Sequence, residues 1–222
     1  MGSGLFITFE GIDGTGKSTQ LQRLVQYLRK RGFRVLVTRE PGGTRTGERV
    51  REILLASRTG KLAALAELAL MYAARAQLLE EVVRPALARG EIVVSDRYNT
   101  ASFAYQGFGR ELGIPTVRAI DRIICGTTQP DLTVILDLDP DQAMGRTRGR
   151  ETRRQSRPDR FESQGLAFHK RVRAGYLAIA RTAPQRIKVV RADQPIEKLQ
   201  LQIRALIEPL LTASGKRPRA RI

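Results

Sequence analysis

Eight consecutive residues constrain this chain more than any others. Gly11-Ile12-Asp13-Gly14-Thr15-Gly16-Lys17-Ser18 follows an apolar, strand-like run, Leu5–Phe9, and opens a segment with helical spacing. The glycines allow the backbone to curl until successive N–H groups point at phosphate oxygens. The helix that follows adds the positive end of its dipole. At this spacing Lys17 reaches the β- and γ-phosphates of a nucleoside triphosphate, and the Ser18 hydroxyl reaches its Mg²⁺. A glycine-rich turn without a ligand would explain neither residue. Gly11, Ile12, Asp13, Gly14, Thr15, Gly16, Lys17, Ser18 and Thr19 are therefore expected to bind ATP, with Lys17 also acting in catalysis.

Further apolar runs rich in β-branched residues, at Val35–Thr38, Ile92–Ser95, Leu132–Leu138 and Lys188–Val190, read as buried parallel strands. Helical spacing recurs between them. It runs from Ser18 to Arg31, from Leu62 to Arg89, from Pro140 to Arg150 and from Pro195 to Leu211. The alternation predicts an α/β fold of the P-loop NTPase type, a doubly wound parallel five-stranded sheet flanked by helices. No repeat and no linker rich in Pro, Gly or Ser divides the 222 residues, so 1–222 is expected to form one domain. No apolar run reaches the roughly 20 residues of a membrane span, and Met1-Gly2-Ser3-Gly4 lacks the pattern of a secretory leader. The lone cysteine, Cys125, lies in an apolar stretch and is expected to be a buried hydrophobe. These features point to a reducing, cytoplasmic setting.

Kinases, GTPases, ATPases and motors all share a P-loop. The chain has no N-K-x-D guanine-reading motif, and its length argues against most motors and helicases. Ile92-Val93-Val94-Ser95 runs into Asp96-Arg97-Tyr98 at the carboxyl end of a strand, where open α/β sheets bind ligands. Asp96 is suited there to hold a water on Mg²⁺, joining Ser18 in a metal set, and Arg97 to grip an anion with two parallel donors. A surface Asp–Arg ion pair is the plainer reading of the same dipeptide.

Longer motifs go further: Phe9-Glu10-Gly11-Ile12-Asp13-Gly14, Thr38-Arg39-Glu40-Pro41-Gly42-Gly43-Thr44, Tyr72-Ala73-Ala74-Arg75, Ala104-Tyr105-Gln106-Gly107, Pro130-Asp131-Leu132 and Asp159-Arg160-Phe161-Glu162. In these the chain resembles the bacterial thymidylate kinases over nearly its whole length. Arg-Glu-Pro-Gly-Gly and Ala-Tyr-Gln-Gly are specific to that family. The resemblance implies ATP + dTMP → ADP + dTDP with Mg²⁺, and a homodimer joined through helices. It also implies roles. Arg39 and Arg97, the latter catalytic, would hold the acceptor's phosphate. Asp13 would accept a hydrogen bond from the sugar 3′-hydroxyl or help order the metal. Arg75 would donate to a thymine carbonyl, Ser102 and Gln106 would meet other polar edges of the base, and Tyr105 would pack beneath the deoxyribose. Pro41 would shape a tight loop beside the acceptor, its Glu-Pro step often cis in the family. On spacing alone, Arg75 reads as a solvated helix residue, Tyr105 as a core aromatic and Gln106 as a loop polar group. Met71 stands where the family usually stacks a phenylalanine on thymine, and offers a soft sulfur contact instead. That departure keeps other pyrimidine monophosphates open as acceptors.

The net charge is +17, and the arginines cluster: Arg146, Arg148, Arg150, Arg153, Arg154, Arg157 and Arg160, followed by a basic tail over 214–222. Phosphoryl transfer loads negative charge on the moving group, and placed cations stabilise it. Gly14 occupies the position at which some thymidylate kinases carry an arginine. The resemblance accordingly implies a lid over about 146–165 that closes on ATP, with Arg150 contacting the transferring phosphoryl and Arg146 and Arg160 assisting. The alternatives are a solvated arm or a nucleic-acid-binding loop, the latter within a nucleic-acid-stimulated P-loop ATPase. Such a protein would not need the acceptor-side motifs, so nucleic acid is not the expected partner. His169, the only histidine, is expected on the surface without a catalytic part. The acceptor phosphate, with a second pKa near ~6, needs no general base at neutral pH.

Overall fold

The computed structural model describes residues 4–56, 61–154 and 159–213, with the side chains of all but 150–154 and 213. Five strands, β1 (Leu5–Glu10), β2 (Val35–Arg39), β3 (Ile92–Asp96), β4 (Leu132–Asp137) and β5 (Ile187–Arg191), form a parallel sheet in the order β2-β3-β1-β4-β5. From β1 the chain runs out to the β2 edge and back to β3. It then crosses β1 to build β4 and β5. The two windings part at the carboxyl end of β1, which is where such sheets open a crevice for ligands.

Alternate residues of the central strands feed two cores because both faces of the sheet are covered. Leu5, Ile7, Phe9, Ile92 and Val94 pack with α1 (Lys17–Lys30), α8 (Leu166–Thr182) and α9 (Ile196–Ala213). Phe6 and Val93 face the other way, onto α3 (Ala64–Leu78) and α6 (Ile114–Ile124). Cys125 is buried there, as expected. Among the described residues no helix is long and apolar enough to cross a membrane.

The helix expected from Leu62 to Arg89 is α3, a wide turn over Leu79–Val83, and α4 (Arg84–Ala88). Pro85 explains the widening. It has no N–H for the helical ladder and its ring crowds the preceding turn, and the Arg84 amide donates five residues back, to the Leu79 carbonyl. Besides α6 and α8, two further stretches that the spacing did not announce are also helical. One is α2 (Arg45–Leu55), whose first turn is capped by the Thr44 hydroxyl accepting from the Gly47 amide at 2.9 Å. The other is α5 (Asn99–Ser102), which continues as a π-helical segment, Phe103–Gly109. In α7 (Pro140–Arg154) the helix takes in the first part of the expected lid. Arg157 and the basic tail lie outside the described residues.

Candidate active site

The loop after β1 needs its glycines. Gly11, Gly14 and Gly16 have φ of 129°, 85° and 89°, a region glycine enters without a steric cost. A Cβ on Gly11 would stand 2.5 Å from the Leu136 carbonyl oxygen, and one on Gly14 2.2 Å from that of Ala143 on α7, while Gly16 faces open space. The Thr15 hydroxyl donates to the Ile12 carbonyl at 2.9 Å and closes the turn. Lys17 is buried, donates to the Gly11 and Ile12 carbonyls at 3.0 Å each, and lies 3.6 Å from Asp13. Burial lowers the pKa of its amine, against the pull of Asp13 and Asp96. The Ser18 hydroxyl donates to Asp96 Oδ2 at 3.3 Å, so the fold brings the two expected metal ligands together. A hydroxyl and a carboxylate beside a phosphate cradle are hard oxygen donors, and Mg²⁺ completes such a set with phosphate oxygens and water. Thr19 is exposed and lines the same cleft.

Arg97, just past β3, also has a positive φ, 73°, which costs a non-glycine residue on the order of 1–2 kcal/mol. Its guanidinium offsets that cost. It donates to the Gly11 carbonyl at 2.9 Å, the Tyr176 hydroxyl at 3.2 Å and Asp13 Oδ1 at 2.8 Å, and lies 4.9 Å over the Tyr105 ring. Behind it the buried Glu10 accepts from the Tyr98 amide at 2.8 Å and the Tyr176 hydroxyl at 2.9 Å. Burial pushes the Glu10 carboxyl up to about 7, with Arg97 opposing. Arg39, at the end of β2, is exposed and held bidentately by Glu48 of α2 at 3.0 and 2.9 Å. Lys17, Arg39, Arg51, Arg97 and Arg146 line one cleft with Asp13 and Asp96.

A second cavity shares Asp13, Glu40, Arg51, Arg97 and Asp159 with that cleft. The residues assigned to the acceptor's base, sugar and flanking loop, namely Pro41, Met71, Arg75, Ser102, Tyr105 and Gln106, all line it. Arg75 is not the solvated residue its spacing suggested: it is fully buried. Its Nε donates to Glu40 at 2.8 Å, and its NH2 to the Tyr98 carbonyl and Ser102 Oγ at 3.1 Å each. The guanidinium also lies 4.4 Å over the Tyr72 ring, while its NH1 has no partner among the described residues. The Glu40–Pro41 bond is cis. Met71 is half-buried on the cavity wall. Tyr105 is a buried aromatic on the cavity wall, edge-on to Phe161 at 5.7 Å and Tyr176 at 6.3 Å. Gln106 is buried and donates to Glu67 at 3.0 Å.

A P-loop cleft and an adjoining cavity that meet at Arg97 and Asp13 agree with what this sequence is similar to. The family model for thymidylate kinase matches residues 9–203. The chain belongs to the thymidylate kinase family. A thymidylate kinase of Deinococcus radiodurans is 49% identical over 207 residues, 93% of this chain and 98% of that protein. One from Pseudomonas putida strain GB-1 is 47% identical over 205 residues, 92% and 95% of the two chains. The crystal structure of thymidylate kinase from Ehrlichia chaffeensis superimposes with a TM-score of 0.75 at 29% identity, covering 92% of this chain and 99% of that one.

Within this family framework some residues depart from expectation. Arg160 is not in the cleft. Its Nε and NH2 donate to the carbonyls of Leu54 and Ala56 at 3.1 and 2.7 Å, where the end of α2 leaves acceptors unfilled. The Asp159 carboxylate accepts from the amides of Phe161 and Glu162, and Glu162 returns a bond to the Asp159 amide at 3.0 Å. This reciprocal cap explains the Asp-Arg-Phe-Glu motif as a turn. His169 is buried rather than on the surface, its ring edge-on to Phe168 at 5.5 Å. Burial lowers its pKa. Arg146 donates to the Ala192 carbonyl at 3.4 Å. Arg150 is on α7, and its side chain lies outside those described. Glu10, Glu40, Arg51 and Tyr176 had no assigned role in the sequence, although Glu10 and Glu40 stand inside its quoted motifs. Tyr176, 166 residues from Glu10, had no local signal to give it away.

Proposed function

We propose that this chain transfers the γ-phosphoryl of ATP to dTMP, making ADP and dTDP. The observation that carries the reading is the sharing of Arg97 and Asp13 by the P-loop cleft and the adjoining cavity. An oxygen of the dTMP phosphate forms the new bond to the γ-phosphorus as the bond to the β–γ bridging oxygen breaks. Gly11 to Thr19 hold the triphosphate, with Lys17 on its outer phosphates. Arg97 and Arg39 hold the acceptor phosphate, and Asp13 keeps Arg97 in place while facing the sugar. Arg75 offers its unpartnered NH1 to a base carbonyl, relieving a buried donor whose isolation costs about 1–3 kcal/mol. Ser102, Gln106, Met71, Tyr105 and Pro41 shape the rest of the pocket. Arg146 and Arg150 on α7 are the candidates to meet charge on the moving phosphoryl, since α7 lies against Gly14 and leaves no room there for a side chain. Mg²⁺, held by Ser18 and Asp96, would neutralise phosphate charge.

Two further features belong to the proposal. Leu65 on α3 and Ile123 on α6 are 60% and 80% exposed, supplying apolar surface for a homodimer joined through helices. A buried free cysteine fits a reducing cytoplasm. The test is coupled ADP release with Mg-ATP and dTMP, dUMP, UMP or CMP as acceptor. Turnover should be strongest with dTMP, and preference for UMP would sink the assignment.

A further inference from the structure

Glu67 on α3 has no accessible surface and no part in the chemistry above. Arg110 meets it with two nitrogens, Nε at 3.1 Å from Oε1 and 3.2 Å from Oε2, and NH2 at 3.0 Å from Oε2. Arg110 is anchored in turn through NH1 to Gln164 at 2.9 Å, and its guanidinium lies 4.8 Å over the Phe168 ring. Held by a guanidinium, Glu67 is a carboxylate and only accepts hydrogen bonds. Gln106 gives it Nε2, at 3.0 Å from Oε1.

The two ends of a carboxamide match in shape and oppose in hydrogen bonding, so a neighbour must decide which way it points. Turned over, Gln106 would press its oxygen against a buried carboxylate oxygen, where repulsion is poorly screened. Its amide nitrogen is therefore committed to Glu67, and its oxygen is left for the acceptor cavity. Arg75 lines that cavity too, with a buried donor to spare. One donor and one acceptor complement the O4 and N3–H of thymine or uracil. The same pair opposes the amino group and bare N3 of cytosine.

We propose that Glu67, clamped by Arg110, is a positioning residue that sets the sense of the Gln106 carboxamide and so makes the site choose 4-oxo over 4-amino pyrimidines. The inference rests on the dTMP reading above. It is tested by kcat/KM for dTMP, dUMP and dCMP in the parent protein, Glu67→Gln and Glu67→Asp. An amide at position 67 donates as well as accepts and frees Gln106 to turn. The dTMP/dCMP ratio should then fall about tenfold or more, while dTMP/dUMP holds because those bases share an edge. Aspartate still only accepts, so Glu67→Asp should keep the parent's dTMP/dCMP ratio whatever happens to its rates. Equal losses on all three substrates in Glu67→Gln, or an unchanged dTMP/dCMP ratio, would overturn the proposal. A readout free of variants is the ¹⁵N spectrum of the parent's glutamine side chains. Slow solvent exchange of the Gln106 amide is expected, and fast exchange would also overturn it. A parent protein without preference for dTMP over dCMP would instead sink the dTMP assignment itself.

Discussion

Arg97 and Glu10 occupy the carboxyl ends of neighbouring strands, one lining both cavities and one buried behind it. Replacing Arg97 with alanine removes the group shared by both halves of the site. A loss of about 10²–10³ in kcat is expected, and steady-state kinetics with dTMP would show it; an unimpaired variant would move the acceptor phosphate elsewhere. Glu10 makes a different prediction. Burial raises its carboxyl from an ordinary 4.5 to about 7, so the folded state binds this proton more tightly than the unfolded chain. The associated stability is fully present below about pH 4.5 and is lost as pH rises through about 7, a change on the order of 3 kcal/mol. In urea unfolding, parent and Glu10→Gln curves should diverge between pH 5 and 8, with the neutral variant gaining; parallel pH profiles would contradict the assignment. Arg75→Ala would leave Glu40 buried without its cation. Breaking such a pair costs about 3–5 kcal/mol, which chemical denaturation would detect as a lowered midpoint.

The decisive element is the π-helical segment Phe103–Gly109, because it carries Tyr105 and Gln106 into the cavity. It lies close on α8: a Cβ at Gly175 would fall 2.8 Å from the Phe108 ring, and one at Gly109 2.8 Å from Phe168 and Val172. Gly175→Ala should therefore push the segment aside, at a cost of about 1–3 kcal/mol. KM for dTMP should rise while KM for ATP stays, since the P-loop is anchored on β1 and β4 instead; equal rises in both would argue against it. This segment and α2 were hidden from the sequence for a physical reason. The apolar residues of the π-helical segment follow neither a clean helical stripe nor a strand alternation, and its form is imposed by what it packs against; α2 does carry a helical stripe, Val50, Ile53 and Leu54, but over a span of only 11 residues. The strands and α1 were legible because their burial is dictated by their own pattern. Leu24 and Leu28 of α1 and the whole of β1 are buried as that pattern requires.

At the scale of the molecule, the +17 charge acts on substrates that are themselves polyanions. Such attraction is screened by salt, so kcat/KM for ATP and dTMP should fall as ionic strength rises, and DNA should not stimulate ATP hydrolysis. Stimulation by DNA would revive the ATPase reading that the sequence left open.

By itself the sequence determined the sheet and the glycine-rich loop after β1, and through its family motifs it named Pro41, Met71, Arg75, Ser102, Tyr105 and Gln106, which line one cavity. Each is written in short-range pattern: burial alternation, glycines at fixed offsets, contiguous motifs. The tertiary structure decided what those residues face. It buried Arg75 against Glu40, drew Tyr176 onto Glu10 from the far end of the chain, turned Arg160 onto the end of α2, and packed His169 inside. Such outcomes depend on which polar groups remain to be satisfied once the elements are docked, and local sequence carries no record of that.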